Sequence, residues 1–142
     1  MRNNLLLFSA VFVSLMAFFQ ACQSPEEINY ARYYTNGKKL YDQYCQNCHN
    51  TDGLGLGTLI PPLTDTTFIK KNREVIACII KYGLSDSIKV NGKNYKEVMP
   101  ANPELPDLDI AALVTYITNT FGNKQGLYDV SNAGSDLKRC PH

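Results

Sequence analysis

Charge is sparse in this chain and nearly balanced: 14 lysines and arginines face 13 aspartates and glutamates over 142 residues. Nucleic-acid binding wants a clustered basic face, and nothing here supplies one. The pairs Lys38–Lys39 and Lys70–Lys71 read as solvated surface, with at most weak steering of a charged partner. Long hydrophobic runs are also missing. The apolar stretch Leu5–Phe19 is shorter than the roughly 20 residues that span a bilayer. Histidine occurs only as His49 and His142, so the commonest acid–base side chain of enzymes is in short supply. Of the methionines Met1, Met16 and Met99, two lie in the N-terminal apolar region and only Met99 lies beyond it. The glycine-rich stretch Gly53–Gly57 lacks the lysine and hydroxyl that follow a phosphate-binding loop, which excludes that reading.

What is present converges on Cys45, Gln46, Asn47, Cys48 and His49. Two thiols three residues apart, with an imidazole directly after the second, form the pattern that attaches a c-type haem. On a turn of helix these offsets put all three side chains on one face. Cys45 and Cys48 can then reach both vinyl groups of one porphyrin, while His49 offers an axial ligand to the iron. Two other chemistries use similar residues, a thiol redox pair and a zinc site. Cys45, Cys48, Cys140 and His142 are formally a zinc set of three cysteines and a histidine. Zinc leaves His49 and Met99 without a role. Met99 is followed by Pro100, which pushes it toward extended backbone within a loop-like stretch. Methionine with histidine is the axial pair of electron-transfer cytochromes, so Met99 is the expected second ligand.

The N-terminus bears on the compartment. Met1–Asn4 carry one charge and Leu5–Phe19 follow as an apolar core, which reads as an export signal. Phe19, Gln20, Ala21 and Cys22 resemble the lipobox of bacterial lipoproteins, with Phe19 where that motif has leucine or another aliphatic residue. The resemblance implies removal of residues 1–21 and lipidation of Cys22. The mature chain then has 121 residues, 13 of them basic and 13 acidic, and faces the periplasm or the cell exterior on a membrane anchor. Ordinary secretion and a retained membrane helix are the alternatives. Cys78 and Cys140 are left over. In an oxidising compartment they are able to pair, while a buried free thiol at Cys78, inside an apolar helical run, is equally ordinary.

Taken together these residues resemble the class I cytochromes c, small carriers with a single haem. The resemblance implies an all-α cytochrome c fold, a few helices wrapped around one covalently attached haem c. It divides the chain into a signal (1–21), a lipidated N-terminus and tether (22–35), a cytochrome c domain (36–122) and a tail (123–142). Asn36 is expected to cap a helix running through Gly37, Leu40, Tyr41 and Tyr44 into the haem motif. In the family a glycine and an aromatic residue of this helix lie against an aliphatic and an aromatic residue of the last one. Gly37 and Tyr41 match the first pair, Leu113 and Tyr116 the second. Leu59–Leu63 resemble the strap whose proline carbonyl accepts the Nδ1 proton of the axial histidine. Pro61 and Pro62 both qualify. Tyr95 is either a hydrogen-bond donor toward the haem pocket or an ordinary core ring.

A further helix is expected from Asn72 to Tyr82, stopped by Gly83, with Val75, Ile76, Ile79 and Ile80 on its apolar face. Another is expected from an Asp107 cap to Gly122, with an apolar stripe at Ile110, Leu113, Val114, Ile117 and Phe121. Asn91-Gly92 marks a short hairpin or irregular loop between them. The implied function is one-electron exchange between a redox protein donor and acceptor, with no nucleic-acid partner and no catalysis; oligomeric state is not specified. Two alternatives keep the haem: a subunit of an oxidoreductase complex, and a small-ligand sensor with a dissociable Met99. A zinc-binding structural module is the alternative without haem.

Overall fold

Ser24 opens the first helix by a reciprocal exchange. Its hydroxyl accepts from the Glu27 N–H at 3.2 Å, and the Glu27 carboxylate accepts from the Ser24 N–H at 3.0 Å. Pro25 at the first position and the acids Glu26 and Glu27 in the first turn suit the positive end of a helix. In the computed structural model, which describes residues 24–140, this helix, α1, runs unbroken over Pro25–Tyr44. The expected start at Asn36 and the expected tether up to residue 35 are therefore corrected: the chain is helical from Pro25, and Asn36 lies inside α1. The physical reason is the capping exchange together with partners for the tyrosines. The Tyr34 ring sits 5.2 Å from that of Tyr116, and its hydroxyl is 3.1 Å from the Thr120 hydroxyl. The Tyr33 hydroxyl accepts from the Val130 N–H. The signal, the lipobox-like stretch with Cys22, and His142 lie outside the described residues.

Five further helices and one hairpin follow. One turn, α2 (Gln46–His49), carries the motif and ends at Asn50, which takes a left-handed φ of 61°. Asp65 caps α3 (Thr66–Lys71) by accepting from the N–H groups of Thr67 and Phe68. Next come α4 (Arg73–Tyr82), stopped as expected by Gly83 at φ 77°, and the antiparallel hairpin β1 (Ile88–Val90) and β2 (Lys93–Tyr95), in which Ile88 faces Tyr95. Asn91 and Gly92 both take positive φ at its turn, as a tight two-residue hairpin connection requires. The last two helices are α5 (Asp107–Ile117) and α6 (Val130–Leu137).

Two details of α5 depart from expectation. Asp107 is its first residue instead of its cap, since the flanking position is Pro106. The helix also ends at Ile117, not Gly122: past Thr118 the bonding tightens, with the Asn119 N–H on the Tyr116 carbonyl, and Phe121 and Gly122 take positive φ. The single apolar stripe is corrected too: every residue from Ile110 to Ile117 is buried. One side is covered by α1, where Gly37 lets the helices approach so closely that a Cβ would lie 2.0 Å from the Ala112 carbonyl oxygen. Other sides are covered by α4 and by α6, the latter from the tail beyond the family resemblance, while Ile117 lines the cleft.

That tail is well tied. Cys78 of α4 is bonded to Cys140, with Cα atoms 5.6 Å apart. The Thr115 hydroxyl donates to the Tyr128 carbonyl and accepts from the Tyr128 N–H. Buried Asp136 accepts from the Tyr128 hydroxyl at 2.6 Å and from Arg139. Among the described residues no helix is long and apolar enough to cross a membrane.

Candidate functional site

The motif is aimed by the meeting of α1 and α2. Tyr41, one turn before Cys45, is fully buried and donates from its hydroxyl to the Asn50 carbonyl at 2.6 Å. That bond closes the far end of α2 against α1, so Cys45, Cys48 and His49 have a fixed base. Rings of Tyr116 and Phe121 lie 5.3 and 5.4 Å from that of Tyr41, tilted contacts that add to the area they bury. Sequence reading had paired Tyr41 with the last helix but had missed its bond to Asn50.

Past Asn50 the chain folds back as a strap. Gly55 and Gly53 take positive φ, and a Cβ at Gly55 would lie 2.3 Å from the Ile60 carbonyl oxygen. The backbone there has no room for a side chain. The strap brings the Pro61 carbonyl to 3.2 Å from His49 Nδ1. Of the two candidate prolines, Pro61 makes the contact. The bond fixes the tautomer, since only a protonated Nδ1 can donate to a carbonyl, and leaves Nε2 without a hydrogen-bond partner among the described residues. Burial pushes the His49 pKa down, opposed by the Pro61 carbonyl. A neutral imidazole with one nitrogen committed and the other free has the form of a metal ligand.

His49 opens on a cleft of about 1030 Å³, the open space at its mouth included. Its walls come from Leu59–Leu63, from Phe68 and Ile69 on α3, from Ile76, Ile79 and Ile80 on α4, from Ile88, Val90 and Tyr95 on the hairpin, and from Glu97–Pro100. Cys45, Cys48, His49, Pro61, Pro62, Tyr95 and Met99, predicted from scattered stretches of sequence, all line this one cleft. Val75 does not: it is 40% exposed on another side of α4. Met99 is half-buried and held by a pair of backbone bonds with Leu84, at 2.9 and 3.0 Å. Gly83 allows this, because a Cβ there would strike the Met99 carbonyl oxygen at 2.6 Å. Tyr95 is buried, and its hydroxyl has no hydrogen-bond partner among the described residues. Beyond Tyr95, the hairpin's Ile88 and Val90 were missed; the alternation Ile88, Lys89, Val90 was the signal for them.

The donor set suits a haem. The walls are almost wholly apolar, two thiols sit at the edge, and imidazole and thioether reach the same space. Burial pushes the Cys45 thiol up to about 12, with the Cys48 sulfur adding to it, so the free thiol is neutral and not a nucleophilic redox cysteine. The zinc alternative is corrected: Cys140 is committed to Cys78, and His142 lies outside the described residues. Among the described residues no group of three or more metal-binding side chains is assembled.

Comparison with known proteins agrees with this geometry. Residues 33–117 match the family described as cytochrome C oxidase, cbb3-type, subunit III. The chain is 33% identical over 92 residues to a cytochrome c-552 of Thermus thermophilus, covering 62% of this chain and 70% of that protein. A second Thermus thermophilus cytochrome c-552 is also 33% identical over 92 residues, with 62% of each chain covered. The fructose dehydrogenase cytochrome subunit of Gluconobacter japonicus is 31% identical over 99 residues, which span 64% of this chain but only 20% of that subunit.

Proposed function

This chain belongs to the class I c-type cytochromes, and from that premise we propose that it passes single electrons between a respiratory or dehydrogenase donor and an acceptor on the outer face of a membrane to which Cys22 anchors it. It holds one covalently attached haem c and is an electron-transfer protein. When bound, the haem supplies reversible one-electron exchange at its iron.

The rest is the work of this chain's residues. Cys45 and Cys48 would hold the group covalently. His49 Nε2 would bind its iron, oriented by the Nδ1 bond to Pro61. Met99 Sδ would supply the second iron ligand, on a segment pinned to Leu84 at both N–H and C=O. The apolar walls would cover the group, with buried Tyr95 among them. The single observation that carries the reading is His49 held by Pro61 in the same cleft as Met99. Absorption spectra of the oxidised and reduced holoprotein test it. Met99→Ala is expected to convert a six-coordinate low-spin haem that ignores carbon monoxide into one that binds it. Carbon monoxide binding by the unaltered protein would favour the small-ligand sensor instead.

The anchor reading is supported by the lipobox-like Phe19–Cys22. Only Gln23 separates Cys22 from the Ser24 cap of α1, so the acyl groups would be joined to a helix that leads directly to Cys45. One acyl chain alone binds marginally, so more than one is required. Mass spectrometry of the membrane fraction checks this: Cys22→Ser is expected to lose the lipid mass and move the protein to the soluble fraction. A second reading, a haem-bearing subunit of an oxidoreductase complex, is favoured by the likeness to the fructose dehydrogenase cytochrome subunit. Co-purification in stoichiometric amount with a catalytic subunit would select it over a free carrier.

A further inference from the structure

The carboxylate of Asp65 has two tasks and gives one oxygen to each. Oδ1 accepts from the Thr67 and Phe68 N–H groups at 3.0 and 3.1 Å, which starts α3. Oδ2 accepts from the Asn91 N–H at 2.9 Å, across a sequence separation of 26. The first task is that of any helix cap, and a single side-chain oxygen is enough for it. The second is not needed by α3 at all. It fastens the turn of the hairpin, where the ladder pairs Val90 with Lys93 and leaves the Asn91 N–H outside it.

Both elements that Asp65 joins are walls of the cleft. Helix α3 supplies Phe68 and Ile69, and the hairpin supplies Ile88, Val90 and Tyr95. The hairpin has few other holds. At its base, Leu84 and Met99 exchange backbone bonds. At its tip, the bond to Asp65 is the only hydrogen bond that residues 88–95 make to the rest of the described chain. Val90 and Tyr95 are buried, so the wall stands closed. We propose that Asp65 is a positioning residue of the electron-transfer site: by clipping the hairpin to α3 it keeps this wall shut, keeps water from the haem, and so raises the midpoint potential. Asp65 does not line the cleft and acts only through the hairpin. This rests on the cleft being a haem site. Burial disfavours the ferric state, which carries one positive charge more than the ferrous, so solvent access lowers the potential.

Holoprotein carrying Asp65→Ser tests this, with Asp129→Ser as the control. Serine caps a helix about as well as aspartate but has no second oxygen, so α3 keeps its start and the hairpin loses its clip. Asp129 caps α6, and its carboxylate accepts only from Ser131 and Asn132. The same substitution there removes a charge and alters a cap without touching the cleft. Hydrogen exchange at residues 88–95 is expected to be about tenfold faster in Asp65→Ser, as the loss of a bond to a charged acceptor implies, and unchanged in Asp129→Ser. Spectroelectrochemical titration is expected to give Asp65→Ser a lower midpoint potential than its parent, with the low-spin haem spectrum retained. The sign separates the clip from simple electrostatics, because losing a negative charge near the iron disfavours the ferric state and raises the potential. Unchanged exchange at residues 88–95 would overturn the proposal, as would a potential that stays the same or rises. Equal changes in Asp129→Ser would also overturn it, making the effect one of general stability. Absence of haem absorbance in the parent would refute the reading of the cleft itself, and the proposal with it.

Discussion

At the scale of single residues, the site depends on side chains whose roles are set by one near neighbour. Gly37 has no room for a methyl group, with the Ala112 carbonyl oxygen 2.0 Å and the Tyr116 Cβ 2.8 Å from where it would stand. Backbone cannot yield as a flexible side chain can, so Gly37→Ala is expected to cost at least about 1–3 kcal/mol. Urea unfolding of the holoprotein measures it. Tyr41→Phe removes the bond to the Asn50 carbonyl but keeps the ring, and is expected to cost about 1 kcal/mol, the net worth of one hydrogen bond, because the carbonyl keeps the Gly53 N–H as a donor. Gly37 and Tyr41 were legible through the family resemblance, in which a glycine and an aromatic residue four positions on pack against a later helix. The choice between Pro61 and Pro62 was not. It depends on how the strap turns at Gly53 and Gly55, and the identity of neither proline encodes that.

At the scale of elements, helix ends and cross-links decide where the chain is firm. Asp65 and Asp129 cap α3 and α6, and backbone N–H groups, chiefly those of Phe68 and Asn132, hold their carboxyls below the usual range. In the unfolded chain both return to about 3.9. Ionisation thus favours the fold, and this stability is complete above that value and is lost as pH falls through the lower folded values. Asp65→Asn with Asp129→Asn, which keeps a cap without its charge, is expected to flatten the loss of thermal stability on acidification below about pH 4. The Cys78–Cys140 bond spans a sequence separation of 62, which in the chain-entropy model stabilises by about 4 kcal/mol. Cys78→Ala with Cys140→Ala is expected to lower stability by about 2–5 kcal/mol and to speed amide exchange in α6 first. The early start of α1 was readable in principle, since Ser24 and Glu27 have capping-box spacing. It was masked by the polar, proline-bearing look of residues 23–29.

At the scale of the molecule, the described chain is built in two parts of unequal self-sufficiency. Helices α1, α5 and α6 bury one another, and Tyr41, Ile110, Leu113, Val114, Tyr128 and Ala133 of that core do not line the cleft. Around the cleft, by contrast, apolar side chains such as Ile79, Leu84 and Ile88 have the pocket itself for a neighbour. The attached haem therefore stands in for the missing core there. Protein made as Cys45→Ala with Cys48→Ala, unable to attach haem, is expected to keep slow amide exchange in α5 while the hairpin and Leu84–Met99 exchange fast, with raised binding of an apolar dye. Hydrogen exchange read by mass spectrometry checks this, and slow exchange throughout would show that the cleft is stable empty.

What the sequence determined by itself was whatever is encoded in neighbours along the chain. Five consecutive residues carry the haem pattern, period-3.6 runs mark the helices and Asn91-Gly92 marks the hairpin turn, while the all-α cytochrome c fold came from the family these residues resemble. Tertiary structure decided what depends on residues far apart. It joined Cys78 to Cys140, chose Pro61 over Pro62, and buried α5 by packing α1, α4 and the tail helix around it. The reason is physical: local spacing records which face of an element is apolar, but which distant surface covers that face is settled only when the chain closes on itself.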